Sequence, residues 1–195
     1  MIPFSYIPIS GRPNAGKTSL INFLTKSKRP VGKRPGTTKR INSIPLVEDL
    51  YLVDLPGFGR IERRSKETEE RVKDQIVQYF DDSTRRLAIA IHIIDISTFH
   101  LVVENLEKKG IIPIDIEMIR FVAEFSKFPP LVIFNKIDKV KKSLIDSNRQ
   151  LLKSYQLPPM RLFLLSLKTK EGCQIFRNTL KNFVIARYGQ KYSHW

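Results

Sequence analysis

The chain has 195 residues, 42% apolar and 27% charged, enough to bury one sizeable core, and no apolar run approaches the ~18 residues that a membrane span requires. Its single cysteine, Cys173, cannot form an internal disulfide, which agrees with a reducing compartment. With 34 Lys and Arg against 19 Asp and Glu, the net charge is +15 and the isoelectric point is near 10.0, a balance under which nucleic acid becomes a serious candidate partner.

Short apolar runs alternate with longer helical patterns, the signature of a sheet built from βαβ units. The opening MIPFSYIPIS has no cationic n-region, so the expectation is a cytoplasmic protein, acting as a monomer. Ser5 to Ser10 reads as the first strand, but Pro3 and Pro8 suit a central strand badly because proline removes a ladder donor. Either that strand is short and begins near Ile9, or its start is truncated or misassigned. Ser19 to Lys26 lies in the first helix, and Ile41 to Val47 with Leu50 to Asp54 reads as a hairpin around Glu48-Asp49. Glu67 to Phe80 is the next helix and Leu87 to Asp95 a long apolar strand. Ile116 to Ser126 (helix), Leu131 to Asn135 (buried strand), Ser143 to Tyr155 (helix), Arg161 to Ser166 (strand) and Gly172 to Arg187 (helix) complete the pattern.

Between the first strand and helix stands Gly11-Arg12-Pro13-Asn14-Ala15-Gly16-Lys17-Thr18, which matches GxxxxGK[ST] in the strand-to-helix context that a phosphate loop requires. Glycines let backbone N–H groups converge on phosphate oxygens, the helix N-terminus favours an anion, Lys17 reaches the β and γ phosphates, and the Thr18 hydroxyl can ligate Mg²⁺. Asp54-Leu55-Pro56-Gly57 follows an apolar run, so the carboxylate leaves a strand at its C-terminal end, where open α/β sheets bind ligands. There Asp54 can face the metal through a coordinated water, and the Gly57 N–H can sense the γ-phosphate. Read alone, this turn is an ordinary strand exit; after a phosphate loop it is not.

Asn135-Lys136-Ile137-Asp138 follows the buried strand and supplies a carboxylate able to accept two donors from guanine, a pair that adenine lacks. Lys136 would pack its stem along the base, and Asn135 would tie this loop to the phosphate loop. Ser166-Leu167-Lys168 ends the next strand, where a backbone N–H could contact the base oxygen and Lys168 could cover the ring. Residues 26–40 carry too many Pro, Gly and like charges to form a packed element. Within this loop Gly36, Thr37, Thr38, Lys39 and Arg40 are candidate nucleotide contacts, and either threonine could complete a Mg²⁺ shell when the γ-phosphate is present.

These motifs, in this order over nearly the whole chain, resemble the Era, EngA, TrmE and EngB group of GTPases, and within it the EngB family. Pro35-Gly36-x-Thr38 followed by Arg40-Ile41-Asn42, and Asp54-Leu55-Pro56-Gly57-Phe58-Gly59, carry that resemblance. It implies an α/β fold, a P-loop NTPase G domain over residues 1–195 with a six-stranded, mostly parallel sheet flanked by helices; residues 189–195 would be a short basic and aromatic tail. It also implies GTP hydrolysis, a role in large ribosomal subunit assembly and a link to cell division. Aligned on that pattern Thr38, rather than Thr37, is the Mg²⁺ ligand beside Thr18 and Asp54, and the catalytic groups are Lys17, Thr38 and Gly57. Asn14 is similar to the asparagine with which relatives hold K⁺ near the β and γ phosphates. Asn135 stands where many bacterial members have threonine, which points to an archaeal-type branch.

Phe58 occupies the place of the glutamine that orients the attacking water in Ras-type enzymes, so intrinsic hydrolysis should be slow. Arg60, Arg63, Arg64 and Lys66 add charge beside the nucleotide-responsive segments, which suits a salt-sensitive ribosomal RNA partner. The tail from Arg187 to Trp195 interleaves aromatics with cations, suited to stacking on unpaired bases or to packing on the domain. His92, His100 and His194 show no metal-ligand spacing and receive no role. Two rivals remain: an RNA-binding scaffold with a weak nucleotide site, and a P-loop ATPase, which would have no need of Asn135-Lys136-x-Asp138.

Overall fold

Leu131–Asn135 is buried at every position, which a strand achieves only when helices cover both faces of its sheet. The computed structural model describes residues 5–28, 41–59, 65–82, 86–126 and 128–195. The strands are β1 (Ser5–Gly11), β2 (Asn42–Val47), β3 (Leu50–Asp54), β4 (Arg86–Leu87), β5 (Ile91–Asp95), β6 (Leu131–Asn135) and β7 (Arg161–Leu165). Their spatial order is β2-β3-β1-β5-β6-β7, with the two-residue β4 paired to β1 beside β5. Only β2 runs antiparallel, to β3; the other pairs are parallel. The order turns at β1, so the loop leaving β1 opens into the crevice where such sheets take ligands.

The helices are α1 (Lys17–Thr25), α2 (Lys66–Asp81), α3 (Ile96–Glu107), α4 (Ile114–Phe125), α5 (Lys142–Ser154) and α6 (Cys173–Tyr188). Strand alternation divides the core. Ile7, Ile9, Ile91, Ile93, Leu131 and Ile133 pack with Leu20 and Leu24 of α1 and Phe176, Leu180 and Val184 of α6. On the opposite face Ile94, Val132 and Phe134 meet Phe99 of α3, Ile119 of α4 and Leu152 of α5. Val53, Leu55 and Ala90 meet Val72 and Ile76 of α2 and Val122 of α4. Each such aliphatic or aromatic side chain contributes about 1.5–3 kcal/mol on burial. No described helix is long and apolar enough to cross a membrane.

Three expectations change, and one choice left open is decided. First, β1 is neither short nor begun near Ile9: it pairs with β3 from Ser5 to Ile9, with Pro8 opposite Val53. Ile9 offers its carbonyl to Leu55 on the β3 side, whereas Tyr6 offers its own to Ala88 on the other. By alternation Pro8 therefore turns its nitrogen away from β3, toward Ala88–Ala90, and costs the β3 ladder no donor. Second, Leu87 to Asp95 is not one strand, because pairing is interrupted across that same stretch, between β4 and β5. Pro8, whose nitrogen faces that gap, accounts for the interruption.

Third, α3 was not foreseen. Its first residues, Ile96-Ser97-Thr98-Phe99, include types that favour strand in isolation, but Asp95 caps the helix by accepting from the Ser97 N–H at 3.0 Å. Fourth, the aromatic tail does not hang free. After a 3-10 turn at Gln190–Tyr192, Tyr192 and Trp195 join the core beside α6, and the Arg177 guanidinium lies over the Trp195 ring. Packing on the domain wins, and these two rings are withdrawn from stacking on bases. Pro3 falls outside the described residues.

Candidate functional site

The loops after β1, β3, β5, β6 and β7 all leave the same edge of the sheet, and the motif residues converge there because parallel strands share a direction. The phosphate loop turns from β1 into α1 through Asn14 (φ 62°) and Gly16 (φ 114°), both left-handed. At Gly16 a Cβ would lie 2.3 Å from Asn135 Nδ2, so only glycine lets the two loops approach. Lys17, 6% exposed, donates its ammonium to the Gly11 and Arg12 carbonyls at 3.0 and 3.1 Å, spanning the loop it belongs to. The first turn of α1 holds no acidic residue, which leaves its positive end open to an anion. Asn14 stands exposed at the crest, and Arg12, Pro13 and Ala15 complete the turn, with the Ala15 N–H donating to Arg12 O at 3.2 Å.

Asp54 ends β3 and is 6% exposed; its Oδ2 accepts from the Thr18 hydroxyl at 3.2 Å. Two hard oxygen ligands from different elements are thereby adjacent, the donor set Mg²⁺ takes when phosphates and water supply the rest. Leu55, Pro56 and Gly57 follow, all buried. Gly57 presses against the phosphate loop so closely that a Cβ would come within 2.8 Å of the Pro13 nitrogen. Phe58 points away from this surface: it is 5% exposed in the apolar cluster of α2, 6.0 Å from the His92 ring. Its side chain is thus spent on packing, and it has no hydrogen-bonding group with which to hold a water.

The base-side loop is bound together by one amide. Asn135 donates through Nδ2 to the Ala15 carbonyl at 2.7 Å and accepts through Oδ1 from the Leu167 N–H at 3.2 Å. The expected tie to the phosphate loop is present, and the third loop is joined as well. Asp138, exposed in the 3-10 turn Ile137–Lys139, accepts from the Ser166 hydroxyl at 2.6 Å. That bond, reinforced by the nearby Lys168 and Lys139 charges and opposed by partial desolvation, holds its carboxyl below the ordinary value of 3.8. The acceptor is therefore ionised throughout the neutral range. Ile137 and Leu167 are buried beneath the loop, while Lys168 stays exposed above it.

Lys136 adopts φ 70° and directs its ammonium onto Asp95 Oδ2. Asp95 Oδ1 is engaged with Ser97, both N–H and hydroxyl, so one carboxylate fastens the base-side loop to the start of α3. Sequence reading missed Asp95; the available signal was a carboxylate ending an apolar run just before Ser97. Since a charge-assisted bond contributes about 1.5–3 kcal/mol, Asp95→Ala is expected to weaken GDP binding by about tenfold, read by titration with a fluorescent GDP. An unchanged affinity would show that Lys136 keeps its place unaided.

Gly36, Thr37, Thr38, Lys39, Arg40, Arg60, Arg63 and Arg64 lie outside the described residues, and of Lys66 only the backbone, opening α2, is described. Among the described residues no cluster of three or more His, Cys, Asp or Glu forms a metal site.

A braced strand-to-helix loop, the adjacent Thr18–Asp54 oxygens and the Asp138 carboxylate on one sheet edge form the arrangement expected of a GTPase domain. A family model described as 50S ribosome-binding GTPase matches residues 6–136. The chain is 39% identical to the probable GTP-binding protein EngB of Methanopyrus kandleri, over 91% of each chain. It is 37% identical to that of Methanococcus maripaludis, over 80% of this chain and 68% of the relative. With the EngB of Pyrococcus horikoshii the identity is 38%, and there the match spans 64% of the relative's length. A crystal structure of a probable GTP-binding protein EngB superposes with a TM-score of 0.80 at 31% identity, covering 93% of this chain and all of that one. NFeoB from S. thermophilus bound to GDP, AlF4− and K⁺ shares the fold, with a TM-score of 0.56 at 22% identity over 91% of this chain and 61% of its own. The chain belongs to the EngB family of GTP-binding proteins.

Proposed function

We propose that this protein binds GTP and GDP with Mg²⁺, hydrolyses GTP slowly, and uses the difference between the two nucleotide states to time its attachment to the large ribosomal subunit. The observation that carries the nucleotide reading is the Asn135 bridge: it sets the ionised Asp138 at a fixed span from the phosphate loop, as a ligand with guanine at one end and phosphates at the other needs. Thr18 and Asp54 would hold Mg²⁺, which when bound neutralises charge on the phosphate oxygens. Lys17 would add a positive charge over the β and γ phosphates, and the Gly57 backbone would report the γ-phosphate. Thr38 is the proposed further ligand.

The basic balance, +15 overall, and the family description of a ribosome-binding GTPase support ribosomal RNA as partner. Competition among GDP, GTP and ATP tests the base, and preference for ATP would favour the ATPase reading. Phosphate release with and without large subunits tests the switch: no hydrolysis under either condition would favour an RNA-binding scaffold. A pull-down that recovers large-subunit RNA with a GTP analogue but not with GDP is the expected result. The family resemblance also carries a link to cell division, for which septum counts in depleted cells are the measure.

Phe58 leaves water positioning to other groups, and Asn14 at the crest of the loop is a candidate ligand for K⁺ beside the phosphates. Single-turnover hydrolysis is therefore expected to run at least about tenfold faster in KCl than in NaCl, because a cation held beside the phosphates adds to the electrostatic stabilisation of the transition state. Equal rates would end the potassium proposal, and Asn14→Ala should abolish the difference.

A further inference from the structure

His92 is fully buried, and both ring nitrogens are engaged: Nδ1 with the Ser10 hydroxyl at 2.9 Å and Nε2 with Asp115 Oδ1 at 3.2 Å. Ser10 and Asp115 are themselves 1% and 2% exposed. Ser10 also lies 3.2 Å from the Ile91 carbonyl. In the tautomer whose Nε2–H donates to the Asp115 carboxylate, Nδ1 accepts from the Ser10 hydroxyl. Three elements are joined. Ser10 is the residue before the phosphate loop, His92 lies on β5, and Asp115 lies in the first turn of α4.

The same place receives the segment after Asp54. The Phe58 ring rests 6.0 Å from the His92 ring, and a Cβ on Gly59 would meet both Arg12 Nε and Ile114 Cγ2 at 3.6 Å. The beginning of α4 is thus in contact with the entrance to the phosphate loop on one side and with the exit of the Asp54-Leu55-Pro56-Gly57 turn on the other. A buried polar chain fixes such a junction more sharply than apolar packing, because its members lose their partners when it shifts. A fold needing only a core here would be served by an aliphatic residue at 92, as at Ile91, Ile93 and Ile94.

We propose that His92 is a positioning residue for GTP hydrolysis: the Ser10–His92–Asp115 chain registers the phosphate loop against the Phe58–Gly59 segment through the first turn of α4. It acts on the relation between the two loops that enclose the γ-phosphate, and so bears more on the GTP state than on the GDP state. The inference rests on the GTPase reading above.

The test compares wild type with His92→Phe, His92→Gln and Ser10→Ala in single-turnover hydrolysis and in binding of GDP and a non-hydrolysable GTP analogue. Because a misplacement near 1 Å can cost about a hundredfold in rate, His92→Phe is expected to slow hydrolysis by about ten- to a hundredfold. It should also weaken the GTP analogue at least about threefold more than GDP, a difference that general loss of stability would not produce. Gln offers both a donor and an acceptor and should restore most of the rate; Ser10→Ala, which keeps Asp115 paired, should fall between. If His92→Phe does not fold, Ser10→Ala and Asp115→Asn carry the same comparison. Wild-type rates in all folded variants, or equal losses of both nucleotides that Gln does not relieve, would overturn the proposal. A wild-type protein that binds no guanine nucleotide would instead remove the GTPase reading itself.

Discussion

Asp138→Asn is expected to lower GDP affinity by about three orders of magnitude and to raise affinity for xanthosine diphosphate, because a site built to accept two donors discriminates strongly once one acceptor becomes a donor. The carboxylate is in place before any ligand arrives: Ser166 binds one oxygen at 2.6 Å and holds the group ionised. Since its pKa lies below 3.8, Asp138 itself should contribute no change in GDP affinity as pH falls from 8 to 5, and a carboxylate-limited loss should begin only below that. Asn at 138 offers one carbonyl and one NH₂ where guanine needs two acceptors, and the NH₂ also meets the Ser166 hydroxyl. Isothermal titration with guanine and xanthine diphosphates is the measurement. Undiminished GDP binding would mean that the base lies elsewhere.

Lys17→Ala should reduce hydrolysis by about 10²–10³-fold, the scale of losing one preorganised electrostatic donor, and should weaken both nucleotides. Two separate losses add here. The phosphates lose a buried positive charge, and the Gly11 and Arg12 carbonyls lose the ammonium that draws them together, so the loop loses its brace. Arginine would not substitute, since its bulkier planar guanidinium replaces the compact ammonium that reaches both carbonyls from one buried point. Multiple-turnover phosphate release compared with wild type reads the first loss; a lowered melting temperature without nucleotide reads the second. A variant that keeps the wild-type rate would remove Lys17 from the reaction.

Much of this site could be read from the chain because its parts are contiguous. The phosphate loop, the Asp54 turn and the Asn135-Lys136-x-Asp138 loop are each a short run whose residue types state their chemistry, and flanking apolar runs place them at strand ends. The Asn135 bridge followed from that placement. What escaped depends on contacts between distant residues. Asp95 meets Lys136 across 41 positions, and Ser10 meets His92 across 82, so no window of sequence shows either pair. α3 was hidden because Ile96, Val102 and Val103 favour strands in isolation, and the helix is decided by the Asp95 cap and by packing of Phe99 and Val103. Pro8 misled for a related reason: proline's cost depends on which neighbour its nitrogen faces, a fact of pairing rather than of composition.

Asn135 touches Ala15 on one loop and Leu167 on another, and this single amide gives half of the site the character of a calliper with its jaws already set. On the proposed function, a nucleotide would be measured from base to first phosphates against this fixed gauge, and GTP and GDP would register alike along it. Whatever tells the two apart must be carried by the opposite wall, where Gly57 lies against Pro13 and the chain runs on past Phe58. On the proposed function, fixing one wall in this way would convert the presence of a single phosphate into movement of the other.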